Sequence, residues 1–194
     1  DKSPEFYFNA KGVEETVPYD MISIPGGKLV SVIGDYDGFA QDSPYEYGEV
    51  HNSIAGSMTG LAVAANAPDV WVKCGGDEEK PGFWYTLDAG KTWVNVKNSP
   101  LESKKIAYGG YVAVSADGKT FYWAPSNDMS IYYTTDLGVT WNKSEGGVGT
   151  QKMIADPVNP DVIYAASSGA FYYSTDGGKT FTQNMTVSVF TSVR

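Results

Sequence analysis

The sequence predicts an all-β protein assembled from repeats, and three observations carry that reading. One phrase occurs three times: Thr86-Leu87-Asp88-Ala89-Gly90-Lys91-Thr92-Trp93, then Thr134-Thr135-Asp136-Leu137-Gly138-Val139-Thr140-Trp141, then Ser174-Thr175-Asp176-Gly177-Gly178-Lys179-Thr180-Phe181. Each copy follows a short aromatic run (Phe83-Trp84-Tyr85, Ile131-Tyr132-Tyr133, Phe171-Tyr172-Tyr173) and precedes another short strand. The composition agrees, with 14 tyrosines, five tryptophans and 22 glycines. Self-similarity at a period of this size is the mark of a repeat architecture.

The frame S/T-x-D-x-G-x-T-W/F reads as a turn. An Asp side chain can accept bonds from backbone N–H groups ahead of it, and Gly enters left-handed conformations without a Cβ penalty. The closing aromatic can fold back as a plug under the turn. Asp88, Asp136 and Asp176 are therefore read as structural staples, because their position recurs with the repeat and not with any site. The frame resembles the Asp-box (BNR) repeat of sialidases, sortilin-type receptors and some glucan hydrolases. That resemblance implies blades of a β-propeller, four antiparallel strands each, with the box joining the outer two strands far from any active site.

Four blades parse along the chain, within a single domain over residues 1–194. The first begins with Asp20 to Ile24, Leu29 to Ile33 and a hairpin around Asp35 to Phe39. The second has Gly60 to Ala64, Val70 to Cys74, Gly82 to Thr86 and Trp93 to Val96. The third has Tyr111 to Ser115, Thr120 to Ala124, Ser130 to Thr134 and Trp141 to Lys143. The fourth has Lys152 to Ala155, Val162 to Ala166, Ala170 to Ser174 and Phe181 to Gln183. Asn66-Ala67-Pro68-Asp69, Ala116-Asp117-Gly118-Lys119 and Asp156 to Asp161 supply turn signals. Glu5 to Asn9 reads as the last strand of a preceding blade and Val187 to Val193 as the first of a following one. About four blades is the low end for propellers, so the domain is expected to be part of a larger one.

Charge and special residues exclude several function classes. A formal net charge of −9 argues against nucleic acid, whose phosphates need a basic surface. No apolar run approaches membrane-spanning length, and the acidity fits a secreted protein. Cys74 is the single cysteine, set in the apolar strand Val70-Trp71-Val72-Lys73-Cys74, and reads as a small core residue. His51, the single histidine, reads as a loop residue in the polar stretch Tyr45 to Asn52. Neither forms a metal cluster, and no cofactor motif occurs. Arginine appears only at Arg194, which disfavours a sialidase. Asn142-Lys143-Ser144 and Asn184-Met185-Thr186 are glycosylation sequons.

One stretch carries chemistry. Val13-Glu14-Glu15-Thr16 leads through Asp20-Met21-Ile22-Ser23 to Gly34-Asp35-Tyr36-Asp37-Gly38-Phe39. Together with Ala113 to Gly118 and Ala155 to Pro160, it resembles the second propeller of glycoside hydrolase family 74, the xyloglucan-active endoglucanases and reducing-end cellobiohydrolases. The resemblance implies a β-1,4-glucan hydrolase of the inverting type, secreted, with Asp35 as general acid. It further implies a partner aspartate on a separate propeller, across a cleft that holds the glucan. Inverting hydrolysis needs two carboxyls roughly 6.5–9.5 Å apart with water between them.

Asp37 departs from the family pattern, which has Gly there. On an extended strand Asp35 and Asp37 would share a face about 7 Å apart; alternatively Asp37 is a surface loop residue. Tyr36, Asp37, Phe39, Tyr45 and Tyr47 are the candidates to contact sugar, while Trp123 reads as core. The competing reading is a non-catalytic Asp-box module that binds protein or carbohydrate, as in sortilin-like receptors or a scaffold of a cell-wall-degrading complex.

Overall fold

The computed structural model describes residues 17–51, 56–76, 82–102, 105–146, 152–167 and 170–184. They form sixteen strands in four four-stranded antiparallel sheets, each a simple meander. Blade 1 is β1 (Pro18–Ser23), β2 (Leu29–Ile33), β3 (Gly38–Gln41) and β4 (Glu49–Val50). Blade 2 is β5 (Met58–Ala64), β6 (Ala67–Gly75), β7 (Phe83–Thr86) and β8 (Val94–Asn95). Blade 3 is β9 (Tyr111–Val114), β10 (Phe121–Ala124), β11 (Tyr132–Thr134) and β12 (Asn142–Lys143). Blade 4 is β13 (Lys152–Ala155), β14 (Ile163–Ser167), β15 (Ala170–Ser174) and β16 (Thr182–Asn184). The all-β propeller-blade architecture expected from the repeats is the one observed.

Two local expectations are corrected. The turn placed at Asn66 to Asp69 is tighter, because β6 already begins at Ala67 and Asn66 instead donates its amide to Ala116 O of the next blade (2.7 Å). The stretch read as a polar loop contains β4, two residues long and paired to Phe39 and Ala40. The end strands expected at 5–9 and 187–193 lie outside the described residues.

The blades stack around their first strands: β1 lies beside β5, β5 beside β9, and β9 beside β13. These four strands line a depression of about 340 Å³, across which Lys152 Nζ stands 3.9 Å from Asp20 Oδ1. Alternation along each strand sends one face to each neighbouring blade. Val30, Val32, Leu61, Trp71 and Trp84 fill the first interface. Val72, Phe83, Val112, Val114, Phe121 and Trp123 fill the second, and Ala113, Tyr122, Met153, Ile163 and Tyr172 the third. Cys74 is buried in the second interface, its thiol pushed up to about 12 by burial, which suits a core residue and not a nucleophile. Trp123 is core as well, its indole donating to Gly109 O (2.9 Å).

The outward faces of the terminal blades are different. Met21, Ser31, Phe39 and Val50 form one cross-strand row on blade 1. Ile154, Tyr164, Tyr173 and Thr182 form the corresponding row on blade 4. Met21, Val50, Ile154 and Tyr173 in these rows are exposed.

The three Asp-boxes are nearly superimposable hydrogen-bond sets. In the first, Asp88 Oδ1 accepts the Thr92 amide (2.9 Å), and Asp88 Oδ2 accepts the Thr92 hydroxyl (2.6 Å). Thr86 Oγ1 donates to Asp88 Oδ1 (2.7 Å) and accepts the Gly90 amide (3.0 Å). Thr134, Asp136, Gly138 and Thr140 repeat this, as do Ser174, Asp176, Gly178 and Thr180. The second and third turn residues are left-handed each time: Ala89 and Gly90, Leu137 and Gly138, Gly177 and Gly178. The glycine is needed for space too. A Cβ at Gly138 would sit 2.5 Å from the Val96 side chain, and one at Gly178 2.4 Å from the Tyr122 ring.

The closing aromatics drop into the wedge with the preceding blade, Trp141 packing on Phe83 and Trp123, and Trp93 beside His51. A shorter relative of the box joins β9 to β10. Asp117 Oδ1 accepts the Ser115 hydroxyl (2.8 Å), and Ser115 Oγ accepts the Thr120 amide (2.9 Å).

Candidate active site

A meander fixes which connections share an end. Turns between first and second strands, and between third and fourth, lie at one end of the blades. Links between second and third strands, and crossovers to the next blade, lie at the other. The bonds agree: Lys28, in the β1–β2 turn, pairs with Asp42 in the β3–β4 connection (2.9 Å). Asp35, in the β2–β3 turn, donates its amide to Ser57 on the crossover to β5 (3.1 Å). The boxes occupy the first end and Asp35 the second.

Asp35 sits at an exposed and strained tip. The Tyr36 amide donates back to Gly34 O (2.8 Å) across Asp35, whose φ is +68°. This is a three-residue γ-turn of the rare hand, and a non-glycine residue there carries backbone strain. The Gly34 amide is tied to Val17 O (2.8 Å), and Ile33 N to Asp37 O (3.3 Å). Tyr36 is 61% exposed beside the carboxylate. The exposed Tyr19 ring lies against Gly34, within 3.4 Å of where a Cβ would stand, and thus joins the tip.

The other expected sugar contacts do not gather here. Tyr45 (95% exposed) and Tyr47 belong to the β3–β4 connection, so the length of β3 separates them from Asp35. Phe39 lies within β3, half-buried in the row that covers the outward face of blade 1. Asp37 neither shares a face with Asp35 nor lies on the surface: it is 4% exposed. The turn reverses the chain between the two aspartates, so the strand-like spacing that would align them never forms.

Asp37 instead points into the first interface, where its carboxylate is bonded to the ammonium of Lys73 from β6, itself fully buried. His51, just past β4, lies outside the strands as a loop residue would, but it is buried although its stretch of sequence is polar. Its Nδ1 lies 3.5 Å from both Asp37 Oδ1 and Lys73 Nζ. The Lys73 ammonium stands 3.8 Å from the centroid of a Trp93 ring, so the first box's plug also faces the ion pair.

Burial pulls Lys73 down to about 8, opposed by the Asp37 charge, and the residue stays protonated at neutral pH. Burial also lowers His51, against the bond to Asp37 and with the Lys73 charge, so its imidazole is neutral. Gly38 makes room for the cluster, since a Cβ there would stand 2.0 Å from Ser31 O and 3.0 Å from the His51 ring. Lys73 was identifiable only as a charge misplaced in an apolar strand. Among the described residues, no group of three or more His, Cys, Asp or Glu side chains is placed to hold a metal ion.

The comparisons with known proteins agree with the repeat and with the family resemblance. The family described as BNR/Asp-box repeat matches residues 132–143 and 172–183. A xyloglucanase of Acetivibrio thermocellus is 38% identical over 181 residues, covering 89% of this chain and 20% of that protein. The crystal structure of a GH74 enzyme from Niastella koreensis aligns with a TM-score of 0.75 at 36% identity, over 89% of this chain and 24% of that one. That of the GH74 xyloglucanase from Xanthomonas campestris aligns with a TM-score of 0.79 at 29% identity, over 89% and 25%. The chain thus resembles glycoside hydrolase family 74 over about nine tenths of its length, and it spans about a fifth of the length of the curated relatives it matches.

Proposed function

We propose that this chain is a segment of a xyloglucan-active glycoside hydrolase and supplies the face bearing the general acid, Asp35. The observation that carries the reading is the strained tip itself. It presents a carboxylate beside exposed tyrosines at the blade end free of Asp-boxes. Positive φ occurs at Ala89 and Leu137 of the boxes as well; at Asp35 it comes with a closed γ-turn and an exposed carboxylate, and strained turns of that kind concentrate at functional sites.

In this reading the glucan lies over the tip, with Tyr36 and Tyr19 as stacking surfaces. Asp35 gives its proton to the glycosidic oxygen as the C–O bond breaks. A second carboxylate, from a part of the protein beyond this segment, takes a proton from water. The water oxygen bonds the anomeric carbon from the opposite face, which inverts its configuration. The exposed outward rows of blades 1 and 4 support further blades on both sides, and a polysaccharide substrate implies secretion.

The test is hydrolysis of xyloglucan by the longest natural chain containing this segment, with and without Asp35→Asn. NMR of the first product would give the anomer. Loss of hydrolysis with retained glucan binding supports the reading. Equal activity of both proteins removes Asp35 from the chemistry, and glucan binding without hydrolysis by either would favour a binding module.

A further inference from the structure

The strained tip has two legs, and they are held differently. On the Gly34 side the tie is a backbone bond to Val17 O, within the same blade. On the Asp37 side it is a buried ion pair to the next blade, through Lys73. The Asp37 carbonyl also accepts the Ile33 amide, and Gly38 O accepts the His51 amide (2.9 Å). Asp37 therefore carries the closing bond of the β2–β3 hairpin, and its neighbour Gly38 carries a bond to the end of β4. A carboxylate two residues from the candidate acid, with its own charge buried, cannot move without moving Lys73 or leaving an unpaired charge in the interface.

We propose that Lys73 is a positioning residue for Asp35: its ammonium locks Asp37, and the locked Asp37 holds the strained turn in the one conformation that aims the Asp35 carboxyl outward. His51 packs against the pair as a neutral neighbour, and Trp93 covers the ammonium with its ring. The first Asp-box thereby reaches the opposite end of the blade through its plug. This rests on the reading of Asp35 as an acid only for its catalytic consequence. The mechanical claim stands on the turn and the ion pair.

The test uses the longest natural chain and the paired substitution Lys73→Met with Asp37→Asn. That pair removes both charges at once, which buried ion pairs often tolerate without loss of fold, whereas Lys73→Met alone strands a buried carboxylate. Amide exchange at Ile33 reads the hairpin and that at His51 its link to β4, and Tyr122 and Ile163 report the distant blades. The expected result is exchange about tenfold or more faster at Ile33 and His51 with the distant amides unchanged. Alongside it, kcat for xyloglucan falls roughly tenfold or more, with KM within about twofold, as a misaimed acid requires. Unchanged exchange at Ile33 and His51 in the folded double variant overturns the proposal, whatever the activity. If Asp35→Asn leaves hydrolysis intact, the acid assignment fails separately, and the exchange result still decides whether Lys73 holds the turn.

Discussion

The two ends of these blades meet the same problem, a tight reversal between strands, by opposite means. At the box end, three turns are closed by short-range bonds from Asp88, Asp136 and Asp176 to residues four positions ahead. Their left-handed residues come in pairs that end on glycine, and their aromatic plugs add interface contacts. At the other end, the β2–β3 turn places a non-glycine residue, Asp35, at φ +68° and holds it through a buried ion pair that spans two blades. The first solution is repeated and closed by side-chain bonds within the box, and its left-handed non-glycine residues, Ala89 and Leu137, each stand beside a glycine. The second is closed by the tight bond from the Tyr36 amide to Gly34 O and is held from the next blade. Positive φ is common to both ends; the cross-blade ion pair and the exposed carboxylate are what set the Asp35 turn apart.

The sharpest way to break the comparison is to alter each end alone. Asp35→Asn should cost roughly 10²–10⁴-fold in xyloglucan hydrolysis, the range for losing a general acid, with an unchanged denaturation midpoint. Gly138→Ala should do the reverse. It puts a Cβ 2.5 Å from Val96 at φ +83° and should lower unfolding free energy by about 2–4 kcal/mol, read from denaturant curves. Gly26→Ala is the matched control, at φ +69° with no atom within 4 Å, and should cost only about 1 kcal/mol.

Acid should then expose the staples. Hydrogen bonds from Thr92 and Thr86 hold Asp88 at about 2, and those from Thr140 and Thr134 hold Asp136 there. Asp176 reaches about 2 despite desolvation that pulls upward, through bonds from Thr180 and Ser174. These carboxylates are depressed on folding, so their contribution is whole above the ordinary carboxylate value near 3.8 and is lost as pH falls toward 2. Melting temperature should drop across that window, and the triple variant Asp88→Asn, Asp136→Asn, Asp176→Asn should drop less. The smallest effect is expected for Tyr45→Ala with Tyr47→Ala. Both lie at the box end, and hydrolysis should stay within about twofold of wild type if the glucan lies at the other end.

What was legible in the sequence follows the same division. The box turns could be read from eight consecutive residues because the bonds made by their Asp and leading Ser or Thr side chains fall within that span. Even there the Ser115–Asp117–Thr120 variant escaped notice, being one residue shorter than the frame. The hairpin at Asp35 was readable from its residues, but its acid role came only through family resemblance, and its support was not visible at all. Asp37 and Lys73 are 36 positions apart, and only blade packing brings them together. Tyr45 and Tyr47 were misplaced because closeness in sequence to Asp35 ignores the strand between them, which carries the chain to the opposite end. Strand β4 was missed because Glu49 and Val50 are too few to show an alternation.

The most direct measurement is a titration of the isotopically labelled protein with xyloglucan oligosaccharide, followed amide by amide. The account predicts that shifts concentrate at Gly34, Asp35, Tyr36 and Asp37, with Tyr19 and Ser57 beside them, and that the amides of Gly90, Gly138 and Gly178 stay still. Shifts centred on the boxes or on Tyr45 and Tyr47, with the Asp35 turn silent, would contradict it.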